Sequence, residues 1–314
     1  MLVASDWFGG ALKAEGELAH STSAGPSTMN DDPFGRRQLY RIGLTGAAGV
    51  FRYGVTMKSA GEAFYGQQDQ AVREVWGEWG SGPWKVRTTL AERWNNVNRD
   101  PFRPRITTTE QRTALTLQPE GGPAFTVSYA HAASASSLEP AGTAATRNLS
   151  DTLEASVAVM RAGWNAKLFS AYSLVSDRLG DADTAGLTHG LQASYRPTTL
   201  VTIAPSLSFR EDRQRWSGGL IDTPSASLSL TYAPRQAMTL TAFGLYTRAH
   251  STDGLVNTST YNLKSVLTWT TFQTAGLTTA ISFDAGYTAA LDEAPAGRSS
   301  EDLSGLVRVQ LVNY

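Results

Sequence analysis

The amino-acid sequence predicts an all-β fold, a single antiparallel, up-and-down β-barrel of about sixteen strands that crosses a membrane. Three observations predict it. Apolar and polar side chains alternate with a period of two along most of the chain, short and long connections alternate between these segments, and large aromatic residues recur near the short connections. Because strand side chains point alternately to two faces, each segment would have one apolar face and one polar face.

The alternation is clearest in residues 37–59, RQLYRIGLTGAAGVFRYGVTMKS. Ile42 and Leu44 share one parity before the glycine-rich centre, and Val55 and Met57 share one parity after it. This pattern predicts a hairpin whose apolar face meets either lipid or the core of a soluble sandwich. The same alternation recurs in other segments, among them 12–18, 125–129, 201–210, 226–232 and 277–284.

The connections between these segments differ in length in a regular way. Short, turn-like connections are predicted at 46–49, 80–83, 119–123, 161–163, 196–199, 233–237 and 274–276. Longer polar connections are predicted at 21–36, 66–71, 95–104, 133–148, 177–186, 212–222, 250–259 and 290–302. About sixteen strands, with roughly 20 residues for each strand and its connection, are typical of a barrel with short periplasmic turns and longer extracellular loops.

This arrangement sets the expected boundaries. Residues 1–10 are predicted to be a periplasmic N-terminal segment and residues 11–314 the transmembrane barrel. Residues 11–20 would begin the barrel and residues 303–312 would close it, with both termini on the periplasmic side because the strand count is even. Aromatic residues of the apolar face that lie close to short turns would form an interfacial girdle: Phe51, Trp84, Trp164, Tyr195, Tyr232 and Trp269.

Composition excludes several other classes of protein. The net charge is −1 and the pI is about 6.4, so no basic surface indicates a nucleic-acid partner. The chain has no cysteine, which excludes disulfides, thiolate chemistry and cysteine-based zinc sites. No run of about 18 apolar residues exists, which excludes a membrane-spanning helix. A soluble sandwich would not require connections of alternating length, and a propeller would repeat a motif about every 40 residues.

The chain resembles bacterial outer-membrane β-barrels over almost its whole length, in architecture rather than through a family-specific motif. The C-terminal stretch LVRVQLVNY is similar to the closing strand that the barrel-assembly machinery reads, and it ends in the aromatic Tyr314. It departs from that pattern in parity, because Tyr314 shares the parity of Arg308 and not that of Val307 and Val309. The resemblance implies the outer membrane of a Gram-negative bacterium. It also implies contact with the lipid bilayer, lipopolysaccharide and the assembly machinery.

The polar face of the first six or so strands carries charged residues of both signs and one tryptophan. We expect these residues to line a pore: Lys13, Glu15, Glu17, Arg41, Arg52, Lys58, Glu74, Trp76, Glu78, Lys85, Arg87, Glu110 and Arg112. Beyond them the polar face is mostly Ser, Thr, Ala and Gly, although Phe243 and Leu245 also fall on it. A barrel of about sixteen strands is wide enough for a water-filled channel. Because both signs are mixed, strong ion selectivity is not expected.

The predicted function is a porin-like outer-membrane channel for polar solutes. The alternative is the barrel domain of a protein that exports an exopolysaccharide or similar polymer. A third reading is an outer-membrane enzyme such as a lipase or protease. The oligomeric state is left open.

Around the short turn GSGP, a centre between Ser81 and Gly82 would set two specific pairs opposite each other. Glu78 would face Lys85, and Trp76 would face Arg87, all on the charged face.

The interpretation as an enzyme depends on whether a histidine could act with a serine as a nucleophilic pair. Of the four histidines, His131 and His189 fall on the lipid-facing parity towards the extracellular rim, on strands that are not neighbours. The sequence indicates no serine and no acidic or amide partner around either one, so we expect no catalytic residues and no enzyme. No metal-ligand spacing is present, so neither a metal nor another cofactor is expected.

Overall fold

The structure is a computed structural model that describes residues 2–7, 11–20, 37–61, 69–180, 182–215, 217–235, 237–273, 277–294 and 297–313. The expectations for the loop at 21–36, the turn at 274–276 and Tyr314 lie outside the described residues.

The described residues form seventeen strands and no helix, which confirms the all-β class. The strands are β1 (Leu2–Trp7), β2 (Leu12–His20), β3 (Gln38–Ala48), β4 (Phe51–Ala60), β5 (Gln70–Ser81), β6 (Trp84–Asn95), β7 (Arg105–Leu117), β8 (Ala124–Leu138), β9 (Arg147–Arg161), β10 (Trp164–Asp177), β11 (Ala182–Thr198), β12 (Val201–Gln214), β13 (Leu220–Arg235), β14 (Met238–Ser251), β15 (Asn257–Gln273), β16 (Leu277–Asp292) and β17 (Ser300–Asn313).

The chain divides into two compact units. The first comprises Met1–Gly121, Thr126–Glu154 and Ser173–Asp183, and the second comprises Gly122–Phe125, Ala155–Tyr172 and Thr184–Tyr314. In the first unit, consecutive strands from β1 to β7 are antiparallel neighbours. In the second unit, the same holds from β11 to β17. The antiparallel, up-and-down order is therefore confirmed.

The strand β1 is the one element that the alternation did not predict. Leu2–Trp7 lie within the expected N-terminal segment, yet they pair with β2 from Glu17 down to Leu12. The described part of the chain therefore has seventeen strands rather than about sixteen. The expected even count, from which both termini were placed on the periplasmic side, is wrong. At six residues, β1 is shorter than the strands that follow, and its own alternation is too brief to be distinguished from a loop.

The apolar face of the strands is exposed. Ile42 is 61% exposed, and Val55, Leu168 and Leu207 are exposed as well. Among the described residues, the buried apolar side chains are Leu39, at 6% exposure, and a few alanines. A soluble sandwich would bury these faces in a core of large apolar side chains. Within each unit the strands instead offer an apolar face that needs an apolar medium.

No helix in the described ranges has the length and apolar character to cross a membrane.

Candidate functional site

The cross-strand registers place all thirteen predicted pore-lining residues on one face of β2 to β7, which we call the charged wall. Directly opposed residues of antiparallel strands share a face. The registers place the odd-numbered residues of β2, β3 and β6 on the same face as the even-numbered residues of β4, β5 and β7. The wall contains Lys13, Glu15, Glu17, Arg41, Arg52, Lys58, Glu74, Trp76, Glu78, Lys85, Arg87, Glu110 and Arg112. Whether this wall lines a pore stays a prediction.

Some members of the wall are brought together and others are not. Arg41 lies directly opposite both Glu17 and Lys58. Lys13 forms an ion pair with Glu15 of its own strand, with 2.7 Å between Nζ and Oε1. Glu17 supplies a counter-charge to Arg41 on one side, whereas Arg41 and Lys58 are like charges that lie directly opposite each other.

Glu78 is the centre of the most closely connected group on the wall. Its carboxylate lies 2.9 Å from Nζ of Lys85 and 3.6 Å from Nη1 of Arg87, and its side chain is only 12% exposed. Arg52 is its direct partner on the other side. One nearly covered carboxylate is therefore paired with two exposed cations and lies opposite the strand position of a third, so the group of four residues carries a net positive charge.

Trp76 lies flat on this wall because its neighbour is a glycine. A Cβ added to Gly54, which is directly opposite Trp76, would be 2.5 Å from the indole Nε1. The guanidinium carbon of Arg87 lies 4.7 Å from the centroid of the Trp76 ring. Cation–π contacts of this kind contribute about 0.5–1 kcal/mol at exposed sites. The indole is thereby fixed between a backbone surface and a cation.

The register predicted for this hairpin is wrong, although the predicted contacts occur. Glu78 is directly opposite Arg87, not Lys85, and Trp76 is directly opposite Thr89. Strand β5 continues through Ser81, so the turn has only two residues, and Gly82 adopts a φ of +55° within it. The shorter turn moves the pairing by two residues, so Lys85 reaches Glu78 and Arg87 reaches Trp76 along diagonals of the ladder.

Sequence reasoning missed one member of the wall, Arg93. It has the parity of Arg87 in β6, and its Nη2 lies 3.5 Å from Oε2 of Glu110 in β7. The parity alone could have found it. With Arg93, the polar face of β2 to β7 carries eight Lys and Arg residues against five Glu residues, an excess of three positive charges.

The polar face of β12 to β16 in the second unit is different, and we call it the hydroxyl wall. Ser206 faces Ser227, Ser208 faces Ser225, and Thr231 faces Thr241. Phe243 lies on this face between Ser229 and Lys264, and its side chain is 40% exposed. Leu245 lies on the same face between Ser227 and Asn262. The sequence placed these two apolar residues on the polar face of their strand, and the structure places them on the same face.

The apolar face carries one polar cluster that the sequence did not indicate. The Nδ1 atom of His131 lies 2.8 Å from Oδ1 of Asp151, and the Tyr129 hydroxyl donates to the same oxygen at 2.5 Å. The expectation that His131 has no acidic partner is therefore wrong. The two residues are 20 positions apart across a long loop, so only the register of β8 and β9 brings them together. His189 lies instead in an apolar groove with Leu168 and Phe209.

This cluster is not a complete nucleophilic site in the described residues. The described hydrogen bonds of His131 go to Asp151, and none joins it to a serine. The described residues also contain no group of three or more His, Asp or Glu residues able to hold a metal ion.

Comparison with known proteins gives little further information. No protein-family profile matches the chain, and no curated protein matches it. A solved structure titled "Bacterial polysaccharide outer membrane secretin" is similar, at 8% sequence identity and a TM-score of 0.44, over 96% of this chain and 97% of that chain. At this score the likeness carries no argument about function.

Proposed function

We propose that residues 11–314 form a closed barrel in the outer membrane of a Gram-negative bacterium and that its lumen conducts polar solutes. The observation that supports this function is the division of the paired strands into an exposed apolar face and a charged or hydroxyl-rich face. Few large apolar side chains of the described residues are buried. In a membrane barrel the apolar face would contact lipid, and the polar face would contact water in the lumen.

Closure follows from the cost of open edges. A long strand at the edge of a sheet leaves a row of N–H and C=O groups without partners, and in lipid each such group costs several kcal/mol. We propose that the strands close into one barrel, with the short turns in the periplasm and the long loops outside. The barrel-assembly machinery would insert the chain, and lipid and lipopolysaccharide would surround it.

The proposed transport role is not enzymatic. A channel needs charged and polar groups distributed along a wetted wall, as on β2 to β7, and does not need a single reactive centre. The charge excess of three on the charged wall would favour anions weakly, because five carboxylates remain among the cations.

Planar-bilayer recording tests this function. The refolded chain should give discrete, ohmic conductance steps, and addition of candidate sugars should reduce the current if they enter the lumen. A chain that is folded, as judged by its β-sheet circular dichroism and heat-modifiable mobility, but that gives no conductance in any orientation would exclude the channel.

The second candidate function is export of a polysaccharide or similar polymer. The observation that favours it is the hydroxyl wall, on which the exposed Phe243 lies between Ser229 and Lys264. A sugar offers an apolar ring face and hydroxyls, which match an aromatic ring and hydroxyl side chains. Block of the current by long neutral oligosaccharides, relieved by Phe243→Ala, would favour export. Rapid passage of short sugars with no block would favour the simple channel.

A further inference from the structure

An ordered loop follows β6 in the first unit, at residues 96–104. The side chain of Asn96 is buried and holds this loop: its Nδ2 donates to the carbonyls of Asp100 at 2.8 Å and Arg103 at 2.9 Å, and its Oδ1 accepts the Asp100 N–H at 2.6 Å. Asn96 and Arg99 have φ values of +48° and +55°, a left-handed conformation that residues other than glycine adopt infrequently. The loop persists in this shape because its own hydrogen bonds fix it.

The loop is also attached to the start of β5. The carboxylate of Asp69 accepts the N–H of Val97 at 2.8 Å, and Arg103 lies 4.0 Å from the same carboxylate. The loop therefore has a fixed position relative to the strands on which it sits.

This fixed loop exposes an apolar ring. Phe102 is 87% exposed, the most exposed of the large apolar side chains described, and it is followed by Arg103. A single exposed phenylalanine is common on protein surfaces and means little alone. Here it belongs to a loop that Asn96 holds in place and that adjoins the basic cluster described next, through the contact of Arg105 with the Asn96 carbonyl.

Two arginines meet one indole directly below this loop. The guanidinium carbons of Arg73 and Arg105 lie 5.0 Å and 5.7 Å from the ring centroid of Trp94. Arg73 also has a long ion pair of 3.8 Å with Glu92, and Arg105 donates to the Asn96 carbonyl at 3.4 Å. A guanidinium has five N–H donors, more than these contacts use.

The cluster lies on the apolar face. Trp94 has the parity of Leu90 in β6, and Arg73 has the parity of Val75 in β5, and both Leu90 and Val75 are exposed on that face. The two arginines and the indole are thus at the long-loop end of the surface that would meet lipid. We call Arg73, Trp94, Phe102 and Arg105 the Trp94 patch.

We propose that the Trp94 patch binds the phosphate-bearing head group of an outer-leaflet glycolipid. This inference rests on the proposed membrane location. Arginine forks match phosphate oxygens in geometry and charge, and two guanidiniums, one from each strand that neighbours β6, contact the same indole. The exposed apolar face of these strands and the exposed phenylalanine of the adjoining loop would contact the acyl chains of a lipid, whereas a free phosphate ion would contact neither.

Binding of two glycolipids that differ only in phosphate tests the proposal. The full chain in nanodiscs is titrated with a diphosphorylated lipid A-type glycolipid, with the same glycolipid after removal of its phosphates, and with inorganic phosphate, and complexes are counted by native mass spectrometry. We expect the phosphorylated glycolipid to bind about tenfold or more tightly than its dephosphorylated form. Arg73→Gln with Arg105→Gln should remove that preference, since each charge-assisted contact is worth about tenfold.

Two further variants make the test specific. Arg213→Gln with Arg248→Gln removes two exposed arginines of the same parity as the apolar residues of β12 and β14, and should change neither affinity. Phe102→Ser should weaken both glycolipids equally and leave the phosphate preference intact.

Equal binding of the two glycolipids by the native chain would overturn the proposal, as would an Arg73→Gln, Arg105→Gln variant that keeps the preference. Displacement of the glycolipid by inorganic phosphate at similar concentration would make the patch a general anion site and would also overturn it. Conductance is recorded on the same samples. Loss of conduction with the lipid preference intact contradicts the channel alone, and the reverse result contradicts the patch alone.

Discussion

The charged wall of the first unit and the hydroxyl wall of the second differ in chemistry although their strands alternate in the same way. The charged wall is linked by ion pairs such as Lys85 with Glu78, whereas the hydroxyl wall pairs small side chains such as Ser208 with Ser225. The apolar faces of the two units are alike, since Val55 and Leu207 are both exposed. The surrounding lipid would demand one kind of surface everywhere, while the polar face is free to vary with the solute.

The largest expected effect comes from placing a charge on the apolar face of either unit. Val55→Arg in the first unit and Ile203→Arg in the second should each destabilise the folded chain by about 2–4 kcal/mol near the bilayer midplane, because the guanidinium would meet hydrocarbon. Unfolding in urea from phospholipid vesicles measures this.

The neighbouring residues on the polar face are the matched controls. Thr56→Arg and Thr202→Arg place the same charge one residue away and should cost much less. Equal losses of stability at both parities would show that both faces are buried, as in a soluble sandwich.

The next effect tests the packing of the Trp76 indole on the charged wall. Gly54→Ala should destabilise the chain by about 1–3 kcal/mol, because the new methyl group would overlap the Trp76 indole and force it off Gly54. Gly77→Ala in β5 is the control, since a Cβ there meets nothing within 4 Å. A stability of the Gly54 variant equal to that of the Gly77 variant would mean that the indole moves aside without cost.

Charge reversal on the charged wall should alter conduction more than stability. Lys85→Glu with Arg87→Glu converts an excess of three positive charges on β2 to β7 into an excess of one negative charge. The reversal potential in a salt gradient should shift towards cation preference, most strongly at low salt, where the Debye length is about 30 Å at 0.01 M. Lys85→Gln with Arg87→Gln should give a smaller shift. A folded, conducting charge-reversal variant with an unchanged reversal potential would remove this part of the wall from the transport path.

The smallest effect concerns one long loop in each unit. A buried serine donates to an acidic residue in both loops, Ser136 to Glu139 and Ser251 to Asp253, and these bonds are the main cause of the lowered pKa of each carboxyl. A lowered pKa means that the folded state gains stability above the unfolded pKa, about 4.3 for Glu and 3.9 for Asp. That gain is lost as the pH falls from there through the folded pKa.

Amide hydrogen exchange of the two loops against pH measures this loss. Arg147 also binds Glu139, whereas the Leu255 N–H also binds Asp253. High salt should therefore raise the apparent pKa of Glu139 more than that of Asp253. An equal response of the two carboxyls to salt would contradict the assigned role of Arg147.

Apart from β1, the sequence was sufficient to predict the strands and their faces, because the alternation of apolar and polar side chains can be read from the order of the residues alone. It placed Val55 and Ile203 on one face and Thr56 and Thr202 on the other without any knowledge of partners. It could not set the register at the turn containing Gly82, because the stretch GSGP is compatible with a turn of four residues and also with a turn of two. It also missed Asp151 beside His131, because that contact depends on pairing across a long loop.

Cysteine-scanning spin labelling tests most directly that the apolar face meets lipid and the polar face meets water. The chain has no cysteine, so single substitutions can be labelled one at a time along β4 from Arg52 to Lys58 and along β12 from Val201 to Phe209. If the apolar face meets lipid, accessibility to oxygen should peak at Tyr53, Val55, Ile203 and Leu207, and accessibility to a water-soluble nickel chelate should peak at the residues between them, with a period of two. Accessibility without alternation, or low accessibility to both reagents at both parities, would contradict this placement of the two faces.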